Sequence, residues 1–311
     1  MIILGERYQF TKKELFFLNK KFNKINTILY KNFSIKENIN KIDYALKLNN
    51  SKLIVLNTKA RIEPELLDYL TYLESKEVNY ITIEEFMEEY LHKIIITETS
   101  FDIKLLVDIY DYTILEKIIK RTIDFIGISL LFIPTLIAII YSFIKIKQES
   151  PGPLLFQQMR LGKKEQEFTC IKIRSMSLNS EKDGPQFALN DDPRAFPWGQ
   201  ILRSTKIDEL LQLWNVLKGE MHLVGPRPER KIWAQEFKKS ISYYNQRHII
   251  PPGITGLAQI KHHYEDGEIN AKEKLEYDLY YIKNWSIKLE FLIIWETIVF
   301  VFQRLQKNLN F

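Results

Sequence analysis

One cysteine, Cys170, stands among 311 residues. A single thiol closes no intramolecular disulfide and builds no Cys-rich zinc cluster, so a reducing, cytoplasmic setting is the simplest fit. Glycine is missing from the whole stretch between Gly5 and Gly127. Dinucleotide-binding turns need glycine where backbone approaches a pyrophosphate, so an α/β region there reads as structural or regulatory instead. The opening residues Met1 to Arg7 become charged before any apolar run of useful length, and no cleavable secretory signal is expected. Neither sign of charge dominates, with 44 basic and 39 acidic residues, a net charge of +5 and a pI near 8.9. The basic residues are scattered and no nucleic-acid motif is present, so nucleic acid is not an expected partner; phosphates on a membrane or a nucleotide are.

The first 95 residues alternate apolar runs with amphipathic stretches. Thr27 to Tyr30, Lys52 to Leu56 and Val78 to Thr82 read as strands, while residues 37–48 and 63–76 have helical spacing. This order predicts a small parallel sheet, a Rossmann-like α/β domain over 1–95, followed by a connector at 96–116. From Phe125 to Phe143 no side chain is charged, a length that suits a membrane helix. Lys117, Lys120 and Arg121 precede it and Lys145 and Lys147 follow, which holds both ends on the cytoplasmic side. Pro134 stands at its centre and favours a bend. The expectation is a re-entrant helix–break–helix over 117–149, against a straight span or a buried core helix. Ser129, Thr135 and Ser142 could satisfy backbone groups freed at the bend.

Beyond Ser150 the composition shifts, with nine of the eleven glycines following Gly127 and ten of the eleven prolines following Pro64. A mostly α, loop-rich α+β domain over 150–311 is expected, ending in an amphipathic interfacial helix at 289–305. Within it, Asp208 and Glu209 lie side by side in an apolar helical stretch. Mutual repulsion raises one pKa, and a carboxylate can attack phosphorus while its neighbour handles a proton or a cation. By itself such a pair near a helix start is more often a surface feature. Its setting argues otherwise: Gly225-Pro226-Arg227-Pro228 presents an arginine on a rigid turn, and Gln157, Arg160, Lys172, Arg174 and Arg203 supply further amide and cationic groups.

These segments resemble the bacterial sugar transferase family, the monotopic phosphoglycosyltransferases that act on polyprenyl phosphate. The likeness covers about residues 117–286 and rests on Lys120-Arg121, Asp124, Ser150 to Pro153, Phe156-Gln157, Arg160, Lys172 to Met176, Leu202-Arg203, Asp208-Glu209, Gln212 to Leu217, Val224 to Pro228, Pro252 to Gln259 and Tyr277 to Lys283. It is closest to the longer members, with an N-terminal α/β region, that initiate exopolysaccharide or capsule units. The resemblance implies that Asp208 attacks the β-phosphate of a UDP-sugar, releases UMP and carries the phosphosugar until undecaprenyl phosphate displaces it. Glu209 would assist with the proton or metal. It further implies Arg227, Arg203, Lys172, Arg174, Arg160 and Gln157 as substrate-binding, magnesium on Asp208, a place in the bacterial inner membrane with the catalytic domain facing the cytoplasm, and a possible homo-oligomer.

The chain departs from the family pattern at Leu211, where proline is common, at Lys206-Ile207, where Ser-Leu is common, and at Ile260 to His263, where Val-Asn-Gly-Arg is common. An exposed pair without ligand function is the expected reading of His262 and His263. Two competing readings are a metal-dependent glycosyltransferase built on Asn190-Asp191-Asp192-Pro193, which would release UDP, and a non-enzymatic membrane scaffold, which leaves the Asp208-Glu209 setting unexplained.

Overall fold

The computed structural model describes the chain except for residues 31–33, 50–51, 59–61, 97–106, 183, 188, 190–191, 262–270 and 310–311. His262 and His263, and Asn190 and Asp191, therefore lie outside the described residues. Two compact units form, Met1–Ile95 and Ile96–Phe311.

In the first unit four parallel strands, β1 (Ile2–Leu4), β2 (Asn26–Ile28), β3 (Leu53–Leu56) and β4 (Asn79–Thr82), pair in the order β2-β1-β3-β4. The parallel sheet expected from the pattern is there, but β1, one of its two inner strands, is one that sequence reasoning missed. Three residues are too few to show any periodicity. Alternate side chains serve opposite faces. Ile2, Leu4, Ile28 and Ile54 pack beneath α2 (Ile35–Asn49) and α3 (Pro64–Glu74), and Met1, Ile3 and Val55 beneath α1 (Lys12–Phe22) and α4 (Ile83–Phe86). Both faces are thus covered, as a parallel sheet requires. Thr11 starts α1 with a capping box, its hydroxyl accepting from the Glu14 amide while Glu14 accepts from the Thr11 amide.

The second unit opens with α5 (Ile114–Glu149), again started by a capping box, Thr113 with Glu116. It is long and apolar enough to cross a membrane. The expected break is not formed: α5 is one continuous helix with Pro134 inside it. A proline removes one hydrogen bond, and the bonds of neighbouring turns can carry the helix past it. Ser129 donates to the Phe125 carbonyl at 2.8 Å, whereas the buried hydroxyls of Thr135 and Ser142 have no partner and satisfy nothing.

Beyond α5 come the antiparallel pair β5 (Leu155–Leu161) and β6 (Glu167–Ile173), then α6 (Pro197–Thr205), a 3-10 turn (Ile207–Gln212) and α7 (Leu213–Lys218). A parallel pair, β7 (His222–Val224) and β8 (Gly253–Thr255), is joined through α8 (Lys231–Ser240) and a second 3-10 turn (Tyr244–His248). Helices α9 (Leu257–Lys261), α10 (Ala271–Lys283) and α11 (Ile287–Leu309) close the unit. Along α11, Phe291, Trp295, Ile298 and Phe302 form an exposed apolar stripe. On its opposite side Glu290 is fully buried and pairs with Lys120 of α5 at 2.6 Å.

Candidate active site

Lys206 is the hinge of the site. Its left-handed backbone, φ 60°, ends α6 and lets the chain turn at once into the tighter 3-10 turn. That turn is anchored by Ile207 and Leu211, which pack with Ile146, Ile173 and Leu202. Asp208 and Glu209 are consequently buried, at 6% and 4% exposure. An isolated dyad on a solvated helix face would not be.

Glu209 meets two cations. Lys172, from β6, places Nζ 2.6 Å from Oε1. Arg227 closes a fork, Nη2 to Oε1 at 2.6 Å and Nη1 to Oε2 at 3.1 Å. Burial by itself would raise the Glu209 carboxyl, but Arg227 and Lys172 outweigh it and hold it well below the usual range. Asp208 moves the other way. Burial and the charge of Glu209 push it up, against the pull of Lys172, Lys206 and Arg203, and its Oδ1 is buried with no hydrogen-bond partner. Two neighbouring carboxylates are therefore split into one fixed anion and one group held in reserve, the pattern expected of groups with different roles.

The support for Arg227 comes from the rest of the unit. Its carbonyl accepts from Nη2 of Arg247 at 2.9 Å. Arg247 is itself buried against Asp278, at 2.8 Å, and the Tyr244 hydroxyl, at 2.9 Å. Upstream, β7 is gripped by the start of α5: Asp124 accepts from the Leu223 amide at 2.9 Å and lies 2.6 Å from His222 Nδ1. Lys120 donates to the Val224 carbonyl at 2.8 Å, and Arg121 donates to the Val216 and Leu217 carbonyls at the end of α7. None of Arg247, Asp278 or Glu290 is singled out by local spacing. The ion pairs they form, Arg247 with Asp278 and Glu290 with Lys120, join residues 31 and 170 apart in sequence.

A profile of the family described as bacterial sugar transferase matches residues 115–304, which takes in every element of this cluster. The chain belongs to the bacterial sugar transferase family. Over 183 residues it is 44% identical to a UDP-N-acetylgalactosamine-undecaprenyl-phosphate N-acetylgalactosaminephosphotransferase of Aeromonas hydrophila, covering 58% of this chain and 43% of the relative. Over 191 residues it is 39% identical to a UDP-glucose:undecaprenyl-phosphate glucose-1-phosphate transferase of Klebsiella pneumoniae, covering 59% of this chain and 40% of that one. An exopolysaccharide production protein of Rhizobium leguminosarum bv. phaseoli is 36% identical over 192 residues, 60% of this chain and 96% of the relative. The chain thus spans less than half the length of the first two and nearly all of the third.

Within this bacterial sugar transferase, the residues expected at the site separate into two groups. Asp208, Glu209, Lys172 and Arg227 come together, and Arg203 lies near enough for its charge to act on Asp208 while its guanidinium makes no hydrogen bond among the described residues. Arg160 adjoins them: it donates to the Pro228 carbonyl at 3.2 Å and to Gln158, and burial, with the charge of Arg227 next, lowers its pKa. Arg174 does not join them. Its guanidinium is spent on the Pro153 carbonyl at 2.6 Å and on the hydroxyl and carbonyl of Ser150 at 2.7 and 2.9 Å. Gln157 is exposed and pairs across the ladder with Ile171, so it points away from the face of β5 and β6 that carries Gln158, Arg160 and Lys172. Gln158 is the glutamine that sequence reasoning passed over, and strand alternation was the signal for it.

The acidic-turn alternative loses its one described carboxylate. Asp192 is buried and clamped by Arg194, whose Nε and Nη2 donate at 2.8 and 2.6 Å, and this contact holds it far below the usual carboxylate range. For magnesium, no group of three or more His, Cys, Asp or Glu side chains is gathered among the described residues. The ion ordinarily takes one or two carboxylates plus substrate phosphate oxygens, and the unpartnered Oδ1 of Asp208 fits that mode.

Proposed function

We propose that the chain transfers a sugar-1-phosphate from a UDP-sugar to undecaprenyl phosphate, releases UMP, and so initiates a surface polysaccharide or glycoconjugate. One observation carries this reading: a buried carboxylate with a free oxygen, Asp208, stands beside an anion, Glu209, that is locked by Lys172 and Arg227. In the first step Asp208 Oδ1 bonds to the β-phosphorus as the bond to the bridging oxygen breaks, and UMP leaves with that electron pair. An oxygen of undecaprenyl phosphate then attacks the same phosphorus, and the Asp208 carboxylate is regenerated. Arg227, Lys172 and Arg203 supply positive charge where the diphosphate must sit. Arg160 backs them, and Glu209 holds Lys172 and Arg227 in place. Bound at Asp208, magnesium would neutralise part of the diphosphate charge.

We place the site at a cytoplasmic membrane face, with the apolar residues 125–143 of the continuous α5 held at that face and not crossing the bilayer. Both flanks of that segment seat on one folded unit: Asp124 bonds the Leu223 amide, and Glu149 accepts from the Trp198 amide at 2.7 Å. A segment crossing about 30 Å of hydrocarbon would set its two ends on opposite sides. The exposed stripe of α11 suits the same interface.

The deciding experiment measures nucleotide release from a panel of UDP-sugars with undecaprenyl phosphate, for wild type and Asp208→Asn. UMP is expected from wild type, with a loss of about 10³-fold or more in the variant. Equal rates would remove Asp208 as nucleophile, and release of UDP would replace phosphosugar transfer by plain glycosyl transfer.

A further inference from the structure

The first unit has a cleft of about 410 Å³ lined by Gly5, Glu6, Arg7, Leu29, Tyr30, Asn57 and Thr58. Its position follows from topology. β1 lies between β2 and β3, and the helices that follow β1 and β3 pack on opposite faces of the sheet, so the loops leaving β1 and β3 diverge. The crevice outside the carboxyl ends of strands at such a point is where open α/β sheets bind ligands.

The floor of the cleft is rigid. Asn57, 1% exposed, accepts from the Tyr8 amide through Oδ1 at 2.8 Å and donates through Nδ2 to the Tyr8 carbonyl at 2.9 Å. Gly5 has φ 102°, and a Cβ there would lie 2.3 Å from the Asn57 carbonyl oxygen. Two polar atoms of lining residues are buried without a partner, Arg7 Nε and the Tyr30 hydroxyl. Nη1 of Arg7 is already committed to Glu84. Unsatisfied buried donors are costly, and these two belong to side chains that line one cleft, where a bound acceptor would satisfy them.

We propose that this cleft binds a nucleoside monophosphate, separately from the site at Asp208. The phosphate takes Arg7 Nε and the Tyr30 hydroxyl, the base lies along the Tyr30 ring and Leu29, and the exposed Glu6 carboxylate accepts from ribose hydroxyls, the role an acidic side chain plays at other such switch points. A single phosphate held by side chains needs no glycine-rich turn, which agrees with the absence of glycine between Gly5 and Gly127.

The test is calorimetric titration of the full chain in detergent with UMP, AMP, GMP and inorganic phosphate, on wild type, Asp208→Asn, Arg7→Met and Tyr30→Phe. At least one nucleotide should bind with an affinity that Asp208→Asn leaves unchanged. Arg7→Met should weaken it by about tenfold or more and Tyr30→Phe by about two- to tenfold. Tyr30→Phe removes one oxygen and keeps the ring, so it decides the matter even if Arg7→Met unfolds with the loss of the Glu84 contact. Binding that neither variant weakens, or no nucleotide binding beyond that altered by Asp208→Asn, overturns the assignment. Inorganic phosphate binding as tightly as every nucleotide overturns the nucleoside part. All readouts are of binding, so they stand whether or not phosphosugar transfer is confirmed.

Discussion

Arg227 grips Glu209 with both arms of its guanidinium, at 2.6 and 3.1 Å, and so turns a buried carboxylate into a permanent anion. Arg227→Ala leaves Lys172 as the one remaining ion-pair partner of Glu209 among the described residues and removes a cation from the diphosphate site. A fall of about 10²- to 10³-fold in kcat/KM is expected. The pH profile should move with it. Arg227 and Lys172 hold the Glu209 carboxyl low against burial, and with Arg227 gone burial is less opposed and the pKa rises. Activity that needs the anion is present above this pKa and lost below it, so the acid limb shifts to higher pH. Rates measured from about pH 5 to 8.5 that show the same limb in both proteins would refute this.

Lys120 and Glu290 form an ion pair with no exposure on either side, and Tyr281 and Trp285 also donate to Glu290, at 2.7 and 3.0 Å. Removing one charge strands the other. Lys120→Met should cost about 3 to 5 kcal/mol of stability, measured by denaturant unfolding in detergent. Adding Glu290→Gln, which keeps an acceptor for Tyr281 and Trp285, should return part of that loss. A double variant less stable than Lys120→Met would show that the pair is not what fastens α5 to α11.

What can be read from sequence here depends on range. The parallel sheet of the first unit is visible because the apolar run Leu53–Leu56 and the β-prone run Asn79–Thr82 lie between helical patterns, while Ile2–Leu4 escapes notice although it is an inner strand. Asp208 and Glu209 are visible through their neighbours in the chain. That they are buried is not, since burial depends on Ile207 and Leu211 meeting Ile146 and Ile173 from elements 34 to 65 residues away. Arg174 shows the converse: two residues from Lys172, it reads as another phosphate ligand, yet it serves the turn at Ser150 to Pro153. Cation identity is local information, and the direction of a cation's side chain is not.

His248 sits near the same support, buried one residue from Arg247. Burial first, then the charges of Arg247 and Lys238, lower its pKa to about 3. Unfolded, it titrates near pH 6.5. The unfolded state therefore binds a proton that the folded state refuses as pH falls below about 6.5, and stability drops by up to about 1.4 kcal/mol per pH unit until about pH 3. His248→Phe removes this group while keeping a ring beside Tyr244. Asp278, pushed up to about 6 by burial against the pull of Arg247, adds an opposite slope to both proteins, so the comparison is the difference between them. The wild type should lose more stability than the variant between pH 6.5 and 4.5, and parallel curves would rule out a buried neutral His248.

Strand alternation separates two adjacent glutamines. Gln158 shares its face of the ladder with Arg160 and Lys172 and accepts from Arg160 Nη2, while Gln157 faces the other way and is exposed. Arg160 in turn reaches the Pro228 carbonyl beside Arg227. Gln158→Ala unties one arm of Arg160 and should lower kcat/KM by about three- to tenfold, the worth of one lost hydrogen bond near the reacting groups. Gln157→Ala should leave KM for the UDP-sugar and kcat within about twofold. The two variants differ by one position and remove the same side chain, so general effects of truncation on β5 are matched between them. A larger loss at Gln157 would mean that substrate is bound on the opposite face of the ladder, away from Lys172 and Glu209.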